Sequence, residues 1–403
     1  MRHTKEPNEF SFLVFSDDWG VHPSSCQHIF RHIGKKHKVL WVNTIGMRNP
    51  RLTTNDLIKA RDKLIRMFQR KSNGGNSDQV SNVVVCQPFM LPFSEIPMIR
   101  KWNKYSVIRT VKRFLSQMNI NNPILVTTVP NACDYVGFLG ESKVVYYCVD
   151  DFTEWPGLNK HLVNNMERVL IQKSNIFIAT SQKLFNKLRR YGKPTFLLTH
   201  GVDVDFFQNL PSEIHPLLAH IPEPRVGYLG LFDDRIDKDL LEAAASQLPN
   251  ISFVVTGRIE TDISRLRKLK NFCFTGPVSY EELPAILAGW KICMLPYKIN
   301  DLTNAIHPLK LKEYLAAGRA VVSTPIQEAK MMSSMIHLAM TDKEWCQVIS
   351  SLLNAKTHSD KEKIRKSLRD ENWEHKASLF TDYINEILNA EIEGVNLHER
   401  HDS

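Results

Sequence analysis

No uninterrupted apolar run in the 403 residues approaches the ~18 needed to span a bilayer. The N-terminus, MRHTKEPNEF, is polar and has no apolar stretch of the secretory kind. The chain is expected to be soluble, or at most peripheral to a membrane. No two of its seven cysteines are spaced Cys-x-x-Cys, and their number is odd. Cys86, Cys148, Cys273 and Cys293 sit inside apolar, strand-like runs. This argues against a disulfide framework or a zinc site and for reduced, buried thiols in a cytoplasmic protein. Also missing are G-x-G-x-x-G, the P-loop, zinc-finger spacing and an aromatic RNP-type motif, so neither a dinucleotide nor a nucleic-acid partner is expected from motif. There is no repeat of solenoid period and no obvious metal-ligand cluster. An apolar fraction of 43% with 24% charged residues is ordinary globular composition and removes disorder. The length favours two or three domains.

Charge is present but unevenly spread. Residues 31–113 hold 18 Lys/Arg against 4 Asp/Glu, a net +14, so the remainder of a chain of net +9 sums to −5. Such asymmetry points to an anionic surface met by the first quarter of the chain. Two stretches there read as basic amphipathic helices. Over 55–70, Leu57, Ile58, Leu64, Ile65 and Phe68 share a face beside Lys59, Arg61, Lys63 and Arg66. Over 98–115, Trp102, Tyr105 and Ile108 recur among Arg100, Lys101, Lys104, Arg109 and Lys112. Helices of this kind lie in an anionic lipid interface, at the inner face of a plasma membrane in this case, or turn the apolar stripe inward and solvate the charge.

Short β-rich runs alternate with helical stretches. They fall at 11–15, 38–42, 82–87, 123–128, 143–149, 175–180 and 195–199, then at 225–231, 251–257, 271–276, 291–297 and 319–324. Several are nearly continuous in apolar residues, as in parallel strands buried on both faces. The alternation predicts α/β, doubly wound parallel sheets in two halves. Pro211, Pro216, Pro222 and Pro224 mark the break. The expected domains are 1–215 and 216–370, then a helix at 371–390 and a flexible tail at 391–403. Ser279-x-x-Glu282 and Thr341-x-x-Glu344 have capping-box spacing. A helix opening near Pro308 ends at Gly318.

Ligands of open α/β sheets sit beyond the carboxyl ends of the strands. After the first strand come Asp17, Asp18, Gly20, His22, Ser24 and Ser25, a polar loop before a helix, suited to phosphate or sugar hydroxyls. Asp17 and Asp18 alternatively only cap the turn. After the fifth, Asp150 and Asp151 adjoin, and one of them suits a base or ligand role, or a helix cap. His200-Gly201-Val202-Asp203 offers a turn with exposed amides. In the second half Gly227, Gly230 and Arg235 end one strand, and Gly257 and Arg258 the next. An arginine fork there fits a diphosphate or a surface ion pair. The stretch from Asn304 to Thr324 is richest. Its helix start sets backbone amides, His307 and Lys310 where phosphate charge would be offset, and Glu313 can accept two vicinal ribose hydroxyls. The same helix also reads as an amphipathic core element.

This stretch, P-L-K-L-K-E-Y-L-A-A-G-R-A-V-V-S-T, resembles the donor-nucleotide signature of GT-B glycosyltransferases of the family-4-like, glycosyl transferases group 1 set. V-G-Y-L-G-L-F-D-D-R, V-V-T-G-R, F-C-F-T-G-P-V-S-Y-E-E-L-P and H-G-V-D resemble further segments of that family in order. S-D-D-W-G-V-H-P-S-S and W-V-N-T-I-G-M-R resemble bacterial transferases of the teichuronic-acid type. The resemblance implies two Rossmann-like domains facing across a cleft. It implies a nucleotide-sugar donor on the second, a glycan or lipid-linked acceptor on the first, and neither metal nor cofactor. It gives Glu313 the ribose, Lys310 and Arg235 the diphosphate, and Gly20 a place beneath it. Arg258 and His307 join the donor side, and Asp17, His22, Asp150 and Asp151 are the candidate bases of an inverting reaction. Ala305 stands where the family's first motif glutamate is expected, Asp237 or Lys238 near an expected lysine, and Thr127 or Thr128 near an expected histidine. Two alternatives remain open, a nucleotide-sugar epimerase and a catalytically silent homologue that binds nucleotide or lipid.

Overall fold

The computed structural model describes residues 10–21, 24–44, 80–155, 157–355 and 361–393. His22, the basic stretch 55–70 and residues 394–403 lie outside the described residues. Contacts divide the chain into two compact units. One runs to Thr199 and resumes at Ala377, and the other is His200–Lys376.

The strands of the first unit are β1 (Ser11–Ser16), β2 (Lys38–Asn43), β3 (Val83–Cys86), β4 (Ile124–Thr127), β5 (Lys143–Cys148), β6 (Ile176–Ala179) and β7 (Thr195–Leu197). They pair in the order β3-β2-β1-β4-β5-β6-β7, with every pair parallel. Its helices are α1 (Ser25–Ile33), α2 (Pro97–Gln117), α3 (Lys160–Lys173) and α4 (Gln182–Arg189). Ser24, Asn159 and Ser181 cap α1, α3 and α4 by accepting a backbone N–H, and α4 starts directly after β6. Phe12 to Phe15, Val39 to Val42 and Val145 to Cys148 are fully buried, because helices cover both faces of the sheet.

The second unit contains α5 (Val204–Gln208), β8 (Arg225–Leu229), α6 (Lys238–Gln247), β9 (Ser252–Thr256), β10 (Phe272–Gly276), α7 (Leu283–Ala288), β11 (Ile292–Leu295), α8 (Asp301–Ala305), α9 (Leu309–Ala316), β12 (Ala320–Ser323), α10 (Gln327–Met331), β13 (His337–Leu338), α11 (Asp342–Asn354) and α12 (Lys361–Leu368). Its parallel sheet has the order β10-β9-β8-β11-β12-β13. Both expected capping boxes are present, at Ser279/Glu282 and Thr341/Glu344. Each unit has its own apolar core.

Two expectations need correction. The break between units falls at Thr199/His200, before the proline-rich segment that suggested 215/216. The backbone just after it is bound into the second unit. Val202 N–H donates to the Glu371 carbonyl (2.7 Å), and the His200 carbonyl accepts from Lys312 Nζ. The sequence from Asp360 to about Leu388, which reads as helical throughout, is also not one helix. A turn at Arg369–Glu371 separates α12 from α13 (Trp373–Glu393), and Asn372 restarts the helix by accepting from His375 N–H at 2.7 Å. From Ala377 onward α13 belongs to the first unit. There Phe380 packs edge-on against Phe30 and Tyr147, and Tyr383 stacks on Phe196 at 4.4 Å. No helix among the described residues is long and apolar enough to cross a membrane.

Candidate functional site

In each sheet the strand order reverses once, between β1 and β4 and between β8 and β11. The carboxyl ends flanking such a reversal form the crevice where α/β proteins hold ligands.

In the first unit this edge is laced by polar side chains. The Asp17 carboxylate accepts from Ser16 Oγ (2.8 Å), Ser24 Oγ (2.9 Å) and Gln27 Nε2 (2.7 Å). Gln27, fully buried on α1, also donates to the Asp18 carbonyl (3.1 Å) and accepts from Gly20 N–H (2.9 Å). Gln27 was not singled out from the sequence, although Ser24-x-x-Gln27 has capping-box spacing. Gly20 has φ +75°, and a Cβ there would meet nothing within 4 Å, so the turn rather than crowding favours glycine. Ser16 and Thr128 hydroxyls meet at 2.8 Å across β1 and β4. Asp17 is therefore committed to holding the loop against α1.

Asp150 and Asp151 follow β5, two strands from Asp17 and about 10 Å away by sheet spacing. Asp150 is half-buried, and its carbonyl accepts from Cys148 Sγ at 3.6 Å. Asp151 is buried and accepts from Thr153 Oγ1 (2.6 Å) and Lys187 Nζ (3.2 Å). Lys187 also meets buried Glu167 at 2.8 Å, and Tyr146 OH donates to that carboxylate at 3.0 Å. Burial pushes the Asp151 carboxyl up, but Lys187 and Thr153 outweigh it and hold the group below its ordinary value. Asp151 is thus an ionised member of a buried charge network whose other members went unread in the sequence.

In the second unit β8 ends at Gly230, with φ +117°. A Cβ there would stand 2.4 Å from Lys310 Cε and 2.9 Å from Nζ, so glycine is what lets the lysine lie across the strand end. Gly257, at φ +148°, touches the same place, since its Cβ would be 2.0 Å from the Gly230 carbonyl oxygen. Arg235 clasps Asp233 through Nε (2.9 and 3.0 Å) and a terminal nitrogen (2.8 Å), and lies over the Tyr297 ring at 5.7 Å. The loops after β8 and β11 are tied by Lys298 N–H to the Arg235 carbonyl (2.8 Å) and Asp237 N–H to Pro296 (2.8 Å).

Helix α9 is set against this edge by Tyr314, whose buried hydroxyl accepts from Leu229 N–H at 2.9 Å. Pro308 precedes the helix and no side chain caps it; of the first-turn amides, Leu311 N–H donates to the Pro308 carbonyl at 3.1 Å. Lys310 and Glu313 share one face at i, i+3. Lys310 Nζ lies 5.6 Å from the Tyr228 ring centre and has no ion-pair or hydrogen-bond partner among the described residues. Glu313 is 8% exposed, and its carboxylate likewise has no partner among the described residues. Burial raises its carboxyl from 4.5 to about 7, against the pull of Lys310. A buried carboxyl, a half-buried ammonium and the start of a helix are thus brought to one edge, a set whose charges and hydrogen-bonding groups suit a ligand with hydroxyls and negative charge.

His307, just before α9, is buried edge-on to His200 with ring centres 5.3 Å apart, and its Nε2 is 4.0 Å from Glu328 Oε2. Burial, then Lys312, keeps its ring neutral by lowering it well below the usual imidazole range. Behind it Lys312 Nζ donates to Glu371, which also meets Lys376 at 2.9 Å. Burial lowers Lys312 to about 8 despite that carboxylate. Arg258 is exposed just after β9, and its carbonyl accepts from Phe232 N–H at 2.8 Å. Ala305 is fully buried at the end of α8. Among the described residues no group of three or more His, Cys, Asp or Glu could hold a metal ion.

Lys310, Glu313, Gly230 and Arg235 are thus brought to one strand edge, and Arg258, exposed, follows Gly257 at the end of the neighbouring strand. Tyr228, Tyr297 and Tyr314, which complete the edge, were not assigned to it from sequence.

Residues 223–354 match the family model described as Glycosyl transferases group 1. A Bacillus subtilis (strain 168) protein named as a teichuronic acid biosynthesis glycosyltransferase, TuaH, is 28% identical over 182 residues. That match covers 43% of this chain and 46% of TuaH, so it spans less than half of the relative's length. Among solved structures, sucrose-phosphate synthase from Thermosynechococcus elongatus superposes with TM-score 0.71 at 14% identity, covering 95% of this chain and all of that one. Anabaena HepE in complex with UDP and glucose gives 0.64 at 12% identity, with the same coverages. The lipopolysaccharide outer core galactosyltransferase WaaB gives 0.59 at 10%, covering 93% and 99%. Residues 223–354 thus resemble glycosyl transferases group 1, on a chain whose two Rossmann-like units have the GT-B fold.

Proposed function

We propose that this chain is a glycosyltransferase that moves a sugar from a nucleotide-diphosphate sugar to a glycan or lipid-linked glycan in the synthesis of a bacterial surface polysaccharide. The group 1 match and the likeness to TuaH support the reaction class. The observation that carries the donor half is the pair on α9, Lys310 and Glu313, both without ion-pair or hydrogen-bond partners among the described residues, at the reversal point of the second sheet. Ribose hydroxyls would donate to Glu313. The diphosphate would face Lys310, the first amides of α9 and Arg235, whose charges offset the leaving group as its bond to the sugar carbon breaks, without a metal or cofactor. By the resemblance, His307, Gly20 and Arg258 are also assigned to the donor.

Acceptor recognition falls to the carboxyl edge of the first sheet. The candidate bases there for the acceptor hydroxyl are Asp17, Asp150 and Asp151, of which Asp17 and Asp151 hold three and two donors. A lipid-linked acceptor places the basic first quarter of the chain, through 55–70 and 98–115, at an anionic membrane on the cytoplasmic side.

Isothermal titration with UDP-, GDP-, ADP-, CMP- and dTDP-sugars tests the donor half. One base should bind, and Glu313→Ala should weaken it at least tenfold with the fold intact. Undiminished affinity in that variant would remove the ribose assignment. Buried Ala305, where the family's first acid is expected, favours a second reading, a homologue that binds donor without turnover. Consumption of the bound nucleotide sugar only when glycan acceptor is supplied would exclude it, and consumption without acceptor would instead indicate an epimerase.

A further inference from the structure

Helix α2 divides sharply into two faces. Asn103, Val107, Val111 and Leu115, spaced by four, are buried. Met98, Lys101, Trp102, Tyr105, Arg109 and Lys112 are spaced three, one, three, four and three apart, so they form one stripe along the opposite side, and all are exposed. Met98 is 83% exposed, Tyr105 65% and Trp102 43%. The aromatic residues that could have packed inward therefore point to solvent. The loop before α2 extends the patch with exposed Phe89, Phe93 and Ile96, and Phe89 braces the Trp102 ring edge-on at 5.5 Å. This platform is fixed. The buried Asn103 amide donates to and accepts from the Leu91 backbone, both at 2.8 Å, and Ser106 Oγ donates to the Phe89 carbonyl at 2.7 Å.

From Pro97 to Gln117 there is no acidic residue. Arg100 is used by Asp134, and Lys104 lies 3.5 Å over the exposed Phe138 ring. Lys101, Arg109 and Lys112 have no ion-pair partner among the described residues. An exposed apolar patch of this extent marks an interaction surface. Its chemistry is specific: aliphatic and thioether tips, a Trp and a Tyr with one polar end each, and cations without counter-charge. Indole and phenol rings settle at the headgroup level of a bilayer, and lysines beside them meet anionic headgroups. Exposed Ile96 and Met98 would serve no purpose against a phosphodiester backbone. The patch also leaves from the carboxyl end of β3. As β3 is parallel to β1 and β5, it lies on the sheet edge that carries Asp17 and Asp150.

We infer that the outer face of α2, with Phe89, Phe93 and Ile96, docks on an anionic phospholipid bilayer and holds the acceptor edge of the first unit beside it. The use of that docking, for a lipid-linked acceptor, rests on the proposed function. The docking itself does not.

Co-sedimentation with phosphatidylcholine vesicles, with and without phosphatidylglycerol, at low and physiological ionic strength, tests it. The wild type is expected to prefer the anionic vesicles. Lys101→Ala/Arg109→Ala/Lys112→Ala should weaken that partition about 100-fold. Met98→Ser/Tyr105→Ser should retain binding at low salt and lose it at physiological salt, where the apolar contribution matters most. Equal binding to neutral and anionic vesicles, or a triple variant that binds like the wild type, overturns the inference. So does a wild type that captures a single-stranded oligonucleotide and ignores vesicles. Thermal stabilisation by a nucleotide sugar, measured on wild type and triple variant alike, should be equal. Its absence from both would defeat the donor reading and leave the vesicle result standing.

Discussion

Replacing Glu313 by glutamine should stabilise the empty protein and cripple its donor site at once. The Glu313 carboxyl is raised by burial from 4.5 to about 7, so the folded state holds a proton that the unfolded chain has released. Stability from this group is full below pH 4.5, declines as pH rises, and is gone above about 7. The difference of roughly 2.5 units, at 1.36 kcal/mol each, is about 3 kcal/mol. At pH 8 the wild type bears that cost and the neutral amide does not. At about 2–4 °C per kcal/mol for a unit of this size, Glu313→Gln should melt up to about 10 °C higher at pH 8. At pH 4, where Glu313 is itself neutral, the two should coincide. Donor binding should move the other way, because two hydrogen bonds to a carboxylate, each worth about 1.5–3 kcal/mol, become weaker neutral ones. Calorimetric melting across pH 4–8, with and without the nucleotide sugar, reads both effects. A variant no more stable than wild type at pH 8, or one that binds donor as well, would refute the reasoning.

Lys310→Ala should lower donor affinity by 10- to 100-fold in titration calorimetry while circular dichroism is unchanged, since the amine has no ion-pair or hydrogen-bond partner among the described residues. Gly257→Ala should destabilise the second unit by more than about 3 kcal/mol in denaturant melts, because its Cβ would meet the Gly230 carbonyl in a backbone conformation unfavourable to alanine. Lys187→Met should cost about 3–5 kcal/mol at neutral pH by stranding Asp151 and Glu167 in the core, as measured in denaturant melts. Asp151→Asn should cost less, because Lys187 keeps Glu167.

The sheets were legible because their strands are apolar runs whose neighbours are read locally, as in Phe12–Phe15 and Phe253–Val255. β13, two residues long at His337–Leu338, has no pattern to read. The donor edge was legible for a similar reason: Lys310 and Glu313 sit one turn apart on one helix, and Gly230 and Arg235 close together after one strand. What stayed hidden depends on contacts remote in sequence. Gln27 is a buried hub only because the β1 loop folds onto α1. Lys187 joins Asp151 to Glu167 from a third element, and Lys312 finds Glu371 and Lys376 near the end of the unit. The same long-range bonds set the unit boundary at Thr199/His200, while prolines marked a segment further on. The helical period of 98–115 allowed its aromatic stripe to face either way. Only the burial of Asn103, Val107, Val111 and Leu115 settles that it faces out.

Thermal unfolding against the panel of nucleotide sugars, run on wild type and Glu313→Gln together, tests the donor site most directly. The account predicts that sugars of one base raise the wild-type transition, by the equivalent of about 2.7 kcal/mol at a hundred times the dissociation constant, and that the variant loses most of this shift. A wild type unmoved by every nucleotide sugar, or a variant stabilised as much as the wild type, would contradict it.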